Sequence, residues 1–287
     1  MSDLTEGQIR WRERLLFDGR DLALVDLQGW DDLPEVESGN VERPSRHGAW
    51  PGRALVGQRF VTATGVLTSA RNLQAMSAVL TPLRRALTLP GDARQHPLTI
   101  RVGGQTLTSY GQVSARSIPG GPGYQAARPT VVVQWTCPDP RRYGRGRATQ
   151  INAPRPSDDG LEYPLEYPLD YGEPARGGSA VLTNGGDTAS HPVVTITGPC
   201  TRPRLINRNT GRTLEFHLAL AETDTLVIDC ERGTVTVNSN DGFHTLSTAS
   251  VPPEHWTLEP GSNPVHFRPE TSGHGAGASI VWNDAHI

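Results

Sequence analysis

Apolar and polar residues alternate with a period of two through much of this chain. Leu226, Ile228 and Cys230 alternate with Val227 and Asp229, and Val235 and Val237 alternate with Thr234 and Thr236. That is the pattern of strands with one buried face. Gln8–Phe17 sets Ile9, Trp11, Leu15 and Phe17 against Arg10, Arg12 and Arg14, which predicts one early strand ending at Asp18-Gly19. Further strands are predicted over 21–27, as one long Val- and Thr-rich run over 53–67, over 98–102 and 105–117 as a hairpin, and over 130–137. The second half adds 178–182, 192–197, 204–207, 213–220, 264–268 and 278–282. With the pair above, these amount to the strands of an antiparallel sandwich of the jelly-roll kind.

Turn chemistry punctuates the strands. Asn240-Asp241-Gly242 is read as a tight hairpin between 234–238 and 243–246, because these residues tolerate positive φ. Glu259-Pro260-Gly261 sets up another turn, with Pro fixing φ and Gly accepting the left-handed position. Residues 31–51 are polar and hold Pro34, Pro44 and Pro51, so they read as an extended loop. A loop of that length inside a compact domain points to an inter-subunit arm. Residues 119–123, Pro-Gly-Gly-Pro-Gly, read as a flexible tip.

One region has helical spacing. Leu73, Met76, Val79, Leu80, Leu83 and Leu87 recur at steps of three and four between Ser69, a candidate cap, and Leu89. Pro82 predicts a kink or restart, since it has no N–H to donate. From Ile151 to Arg176 the chain carries five prolines and the imperfect tandem Glu162-Tyr163-Pro164-Leu165, Glu166-Tyr167-Pro168-Leu169, Asp170-Tyr171-Gly172. Residues before proline favour extended backbone, so this is read as a connector. The expected organisation is therefore a domain over 1–150, a connector over 151–176 and a β-sandwich over 177–287. The fold class is mainly β with one kinked helix.

Composition narrows the function. The chain has 287 residues, with 31 Gly and 24 Pro supporting many turns, and enough length for two domains. A net charge of -3 gives no overall basic surface for nucleic acid. All 27 cations are Arg, which excludes Schiff-base lysine and P-loop lysine chemistry. Arg also suits subunit interfaces, where its planar fork pairs with carboxylates. Cys137, Cys200 and Cys230 are an odd, widely spaced set that fits neither a disulfide framework nor a zinc motif, so they are expected to be buried and free. The first residues lack a charged segment followed by an apolar core, so no signal peptide is expected, and no apolar run is long enough for a membrane anchor.

Catalytic signatures are absent: no Gly-x-Ser-x-Gly, His-Glu-x-x-His, Gly-x-Gly-x-x-Gly or Cys-x-x-Cys occurs. The candidates for acid–base or metal chemistry are His217, Asp241, His244, His255 and His266, at scattered strand and turn positions without ligand spacing. No enzyme activity, cofactor or metal is expected. Trp256 and Trp282 are candidates for stacking on a sugar ring, with Trp256 the expected glycan contact if the second domain binds carbohydrate.

The run Leu226-Val227-Ile228-Asp229-Cys230-Glu231-Arg232-Gly233-Thr234-Val235-Thr236-Val237-Asn238, the Asn-Asp-Gly hairpin, the Trp256-Thr257-Leu258-Glu259-Pro260-Gly261-Ser262-Asn263 turn and a final strand reaching Trp282 resemble the galectin-like C-terminal domain of siphophage distal tail proteins. The ending Cys137-Pro138-Asp139-Pro140 resembles the close of the ring-forming N-terminal domain of that family. The resemblance implies a structural virion protein, a homohexameric ring joining the tail tube protein to the tail-tip hub. Tape measure protein and DNA would pass through its lumen without sequence-specific contact. It further implies assembly in the host cytoplasm and a final place at the tail tip. In such a ring the candidate subunit or ring–ring contacts are Arg84 and Arg85 on the helix, and Arg141, Arg142 and Arg145 in the basic tract that follows the first domain. The same tract also reads as a solvated linker.

Overall fold

The structure, a computed structural model, describes residues 4–89, 91, 93–154 and 177–287. The Glu-Tyr-Pro-Leu tandem lies outside the described residues. Strand makes up 49% of the described residues and helix 9%, so the fold is mainly β. The chain divides into two compact units, Met1–Gly144 with His286–Ile287, and Arg145–Ala285.

In the first unit, β1 (Ile9–Trp11) and β2 (Arg14–Phe17) form a hairpin. The single strand expected over 8–17 is thus two. Arg12 takes φ +58 and reverses the chain, so the inward residues are Ile9, Trp11, Leu16 and Phe17, while Leu15 is exposed. β3 (Leu22–Gln28) follows, then β4 (Val36–Ser38), β5 (Val41–Glu42), β6 (Ala49–Trp50), β7 (Ala54–Val56) and β8 (Arg59–Leu67). After α1 (Leu73–Ala86) come β9 (His96–Val102), β10 (Gln105–Ser117), α2 (Pro122–Gln125), β11 (Thr130–Cys137) and β12 (Arg142–Asn152), which continues into the second unit.

β10 organises this unit. Its first half pairs with β9, and its second half pairs with β11 from Gln112 onward, with a register shift between Val113 and Ala115 inside that ladder. One strand therefore serves two antiparallel layers, β2-β1-β9-β10 and β10-β11-β8-β3. Ile9, Trp11, Leu98, Ile100, Val61, Ala63, Val131, Val133 and Trp135 from these layers share one core.

α1 closes that core with Met76, Leu80 and Leu83, each contributing about 1.5–3 kcal/mol by burial. Its cap is Asn72, whose Oδ1 accepts from the Ala75 N–H at 2.8 Å, and not Ser69. The helix runs on through Pro82 without restarting. Leu80 and Leu83, buried on either side, hold the turn by packing. The Pro-Gly tip expected at 119–123 contains a second helix, the four-residue α2 with Pro122 at its start.

The second unit contains β13 (Ser179–Asn184), β14 (Val193–Thr197), β15 (Cys200–Thr201), β16 (Arg204–Asn207), β17 (Thr213–Glu215) and β18 (Ala219–Leu220). These are followed by β19 (Thr225–Asp229), β20 (Thr234–Val237), β21 (Asn240–Asp241), β22 (Gly261–Phe267), β23 (Thr271–Ser272) and β24 (Gly277–His286). One sheet has the order β12-β24-β14-β19-β20-β21 and a second β13-β22-β16-β17, with a small β18-β15-β23 sheet beside them. Val194, Ile196, Leu226, Ile228, Ile280 and Trp282 of the first sheet share a core with Leu182, Leu205, Leu214, Val265 and Phe267 of the second. The unit is an antiparallel sandwich.

Its hairpin turns earlier than the sequence suggested. Asn238 and Ser239 hold φ +49 and +68 between Val237 and its partner Asn240, a two-residue turn of the type that matches strand twist. Residues 243–245 then form a 3-10 turn in place of a strand. Gly261 takes φ +86 as the Pro-Gly turn requires, and Asn263 stitches that turn by donating to the Glu259 and Gly261 carbonyls at 2.7 and 3.1 Å. Cys137, Cys200 and Cys230 are free and buried. Burial pushes the Cys200 thiol up to about 11 and raises the other two as well.

Candidate functional site

Residues 31–57 are where the first unit departs from a compact domain. The loop expected there is a paired ribbon: Val36–Ser38 of β4 pairs with Ala54–Val56 of β7, and Val41–Glu42 of β5 with Ala49–Trp50 of β6. The two ladders join where Gly39 and Gly52 pass so closely that a Cβ on Gly52 would lie 1.9 Å from the Gly39 carbonyl oxygen. The Gly39 N–H donates to the Arg53 carbonyl at 3.2 Å, and Gly52 N–H to Asn40 Oδ1 at 2.9 Å. At the far end the Arg43 guanidinium lies over Trp50, 4.5 Å from the ring centroid.

No residue from 31 to 58 is buried, so this arm has no core of its own. Leu33, Val41, Trp50 and Leu55 are more than half exposed, and Val36 is 42% exposed. An isolated two-stranded ribbon is marginal in water, and a run of exposed apolar side chains on one marks an interaction surface.

The root of the arm is fixed by buried arginine. Arg59, fully buried at the start of β8, donates Nη1 to the carbonyls of Gly29, Trp30 and Asp32 at 2.7, 2.8 and 2.8 Å, and Nε to that of Pro140 at 2.8 Å. Burial, and next the charge of Arg142, pull its pKa down to about 10, which leaves it charged at neutral pH. Gly29 takes φ +76 beside it, where a Cβ would meet the Phe60 carbonyl oxygen at 1.8 Å. Arg142 completes the knot: it pairs with Asp31, donates to the Ile287 carbonyl at 3.0 Å and lies 5.7 Å from the Trp30 ring.

The candidate residues of the sequence lie in different surroundings. Arg142 is buried in this knot, so it is not a surface contact as expected; its place in the strand turns it inward. Arg141 is half-buried and bound to Asp139 at 3.1 Å. Arg145 is exposed, and Arg147 nearby holds Asp284 through two nitrogens at 2.8–3.0 Å. Arg85 is exposed at the end of α1 and Arg84 partly so, its carbonyl accepting from Arg116 Nη1 at 2.7 Å. Trp256 is fully buried in the second core, so it has no face to offer a sugar; its place just after a short 3-10 turn points it inward. Among the described residues no three His, Cys, Asp or Glu side chains gather as a metal site. The sequence gives no sign of Arg59 and Asp31, because a charge at a strand start or in a polar loop reads as solvated.

Comparison with known proteins bears on this arrangement. Residues 185–286 match the family described as siphovirus-type tail component, C-terminal domain. The crystal structure of the SPP1 Dit (gp 19.1) protein, described as a paradigm of hub adsorption apparatus in Gram-positive infecting phages, superposes with a TM-score of 0.67 at 12% identity, covering 98% of this chain and 99% of that one. The chain has the distal tail protein fold. At 12% identity it is the fold that is shared, and within it the second unit carries the family's sequence signature. Two structures of the phage p2 baseplate in its activated conformation, with Ca and with Sr, cover 96% of the chain and 97% of theirs at 9% and 10% identity. Their TM-scores are 0.48 and 0.49. No curated protein matches.

Proposed function

We propose that the chain is a non-catalytic tail-tip subunit of a long-tailed phage or phage-derived particle. It closes into a hexameric ring between the tail tube protein and the tail-tip hub, and tape measure protein and DNA pass through the lumen. The subunit folds in the host cytoplasm and ends in the virion tail. The observation that carries this reading is the arm: a ribbon with an exposed apolar run, no core, and a rigid buried root. Such a part is of use only against another molecule, and a head-to-tail contact of this kind repeats around a closed ring. The tail-component family match and the distal tail protein fold support the same reading. The second unit takes the galectin-like role of an outer docking domain.

Light scattering after size exclusion, with electron microscopy of the same fraction, tests the proposal. The intact chain is expected to give six-fold rings, and a particle that stays monomeric at high concentration and in the assembled tail overturns it. Carbohydrate recognition is the weaker reading, since Trp256 and Trp282, the two tryptophans that motivated it, are both buried.

A further inference from the structure

The second unit is acidic by sequence: residues 145–285 hold 17 Asp and Glu against 10 Arg. Yet four of those arginines gather around one sheet. On β13-β22-β16-β17, Leu205, Leu214, Val265 and Phe267 point into the core, so Arg204, Ile206, Glu215 and His266 lie on the outer face. Arg204 sits directly across from Glu215 in the ladder. Arg202, Arg204 and Arg268 line an open cleft of about 340 Å3 with Glu215, Pro269 and Glu270.

The groups in this cleft are unequally engaged. Arg202 donates to Glu215 at 3.0 Å but reaches Glu270 only at 3.6 Å, and the Glu270 side chain is 59% exposed. Arg268 is anchored through Nη1 to the carbonyls of Gly178 and Phe267. Arg204 projects into solvent. Three guanidinium groups against two carboxylates leave one unit of positive charge uncompensated. His266 senses the same field: desolvation first, then Arg268 and Arg208, hold its pKa below the usual 6.5.

We propose that this cleft docks a carboxylate side chain of an acidic protein segment, taken between Arg204 and the Glu270 side of Arg202. A single negative charge balances the cleft, and the planar guanidinium fork matches a carboxylate. A phosphate dianion brings about two charges into contact with the two resident carboxylates, which disfavours it. The surface belongs to the second unit alone, so it works whether or not the ring forms.

The test uses the full chain with a fluorescently labelled hexaglutamate peptide and reads anisotropy. Hexaglutamate is expected to bind, and Arg204→Glu to weaken it by about tenfold or more, with an unchanged melting curve because Arg204 is exposed. Arg232→Glu, a reversal at a side chain 80% exposed on a different turn, is expected to leave binding as it was. Saturating peptide is expected to raise the His266 pKa in an NMR titration, since an added anion offsets the arginine field. The proposal is overturned if the peptide does not bind, if Arg204→Glu binds like the parent, if Arg232→Glu loses as much, or if the His266 titration does not move. Displacement of the peptide by inorganic tripolyphosphate at equal charge concentration would equally sink it, by marking a phosphate site.

Discussion

Arg59 makes four hydrogen bonds to backbone carbonyls from a fully buried position, and this is the residue on which the arm root depends. Arg59→Met keeps much of the volume but strands those carbonyls, so it is expected to destabilise the first unit by on the order of 3–5 kcal/mol in urea unfolding. A loss under 1 kcal/mol would show that water replaces the guanidinium at little cost. Asp18 works on a smaller scale. Its carboxylate accepts from the backbone N–H groups of Arg20, Asp21 and Leu22 at 2.8–3.1 Å. Partial burial pushes its pKa up, but the three donors together outweigh that and hold it below 3.8. The folded carboxyl is the stronger acid, so its stabilisation is complete above the unfolded pKa and is lost as pH falls through the folded one. Asp18→Asn is therefore expected to flatten the acid side of the stability curve below about pH 4, read by thermal melts from pH 2 to 7.

Among the elements, those whose period reports burial were legible. Val131, Val133 and Trp135 alternate into the core as their spacing says, and so do Leu226 and Ile228. Met76, Leu80 and Leu83 face inward on α1 for the same reason. What the pattern missed are features that burial does not encode. The strands of the arm are held by backbone pairing in water, so no apolar alternation betrays them. Arg12 and Asn238-Ser239 turn the chain by positive φ in non-glycine residues, a choice that surrounding contacts impose. The cap position depended on one side-chain oxygen, which spacing alone does not choose between Ser69 and Asn72. Asn72→Ala is expected to cost about 1 kcal/mol, measured by chemical denaturation, while Ser69→Ala is expected to cost less than half of that.

For the whole molecule, the proposed function makes the arm the part that separates folding from assembly. Val36 and Val56 face each other at its base, so residues 37–55 can be replaced by Asn-Gly to close a short hairpin. Nothing buried is removed, so the thermal midpoint is expected to stay within a few degrees while ring formation is lost. A shortened chain that still makes rings would transfer the contact to another surface, with Arg85 and Arg145 the first exposed candidates. The tail-component character was legible in the C-terminal half, where turn residues and strand spacing are distinctive. The candidate contacts were harder to read: Arg142 and Trp256 carry the right chemistry but are turned inward, a matter of local backbone path that composition does not reveal.

All three thiols lie sealed inside the two cores, protonated and away from solvent. Subunits of this kind have nothing on their surface for oxygen to stitch together, so weeks of storage without reductant should leave only single-chain bands on a non-reducing gel. Durability in air is thus built in by where sulfur is kept.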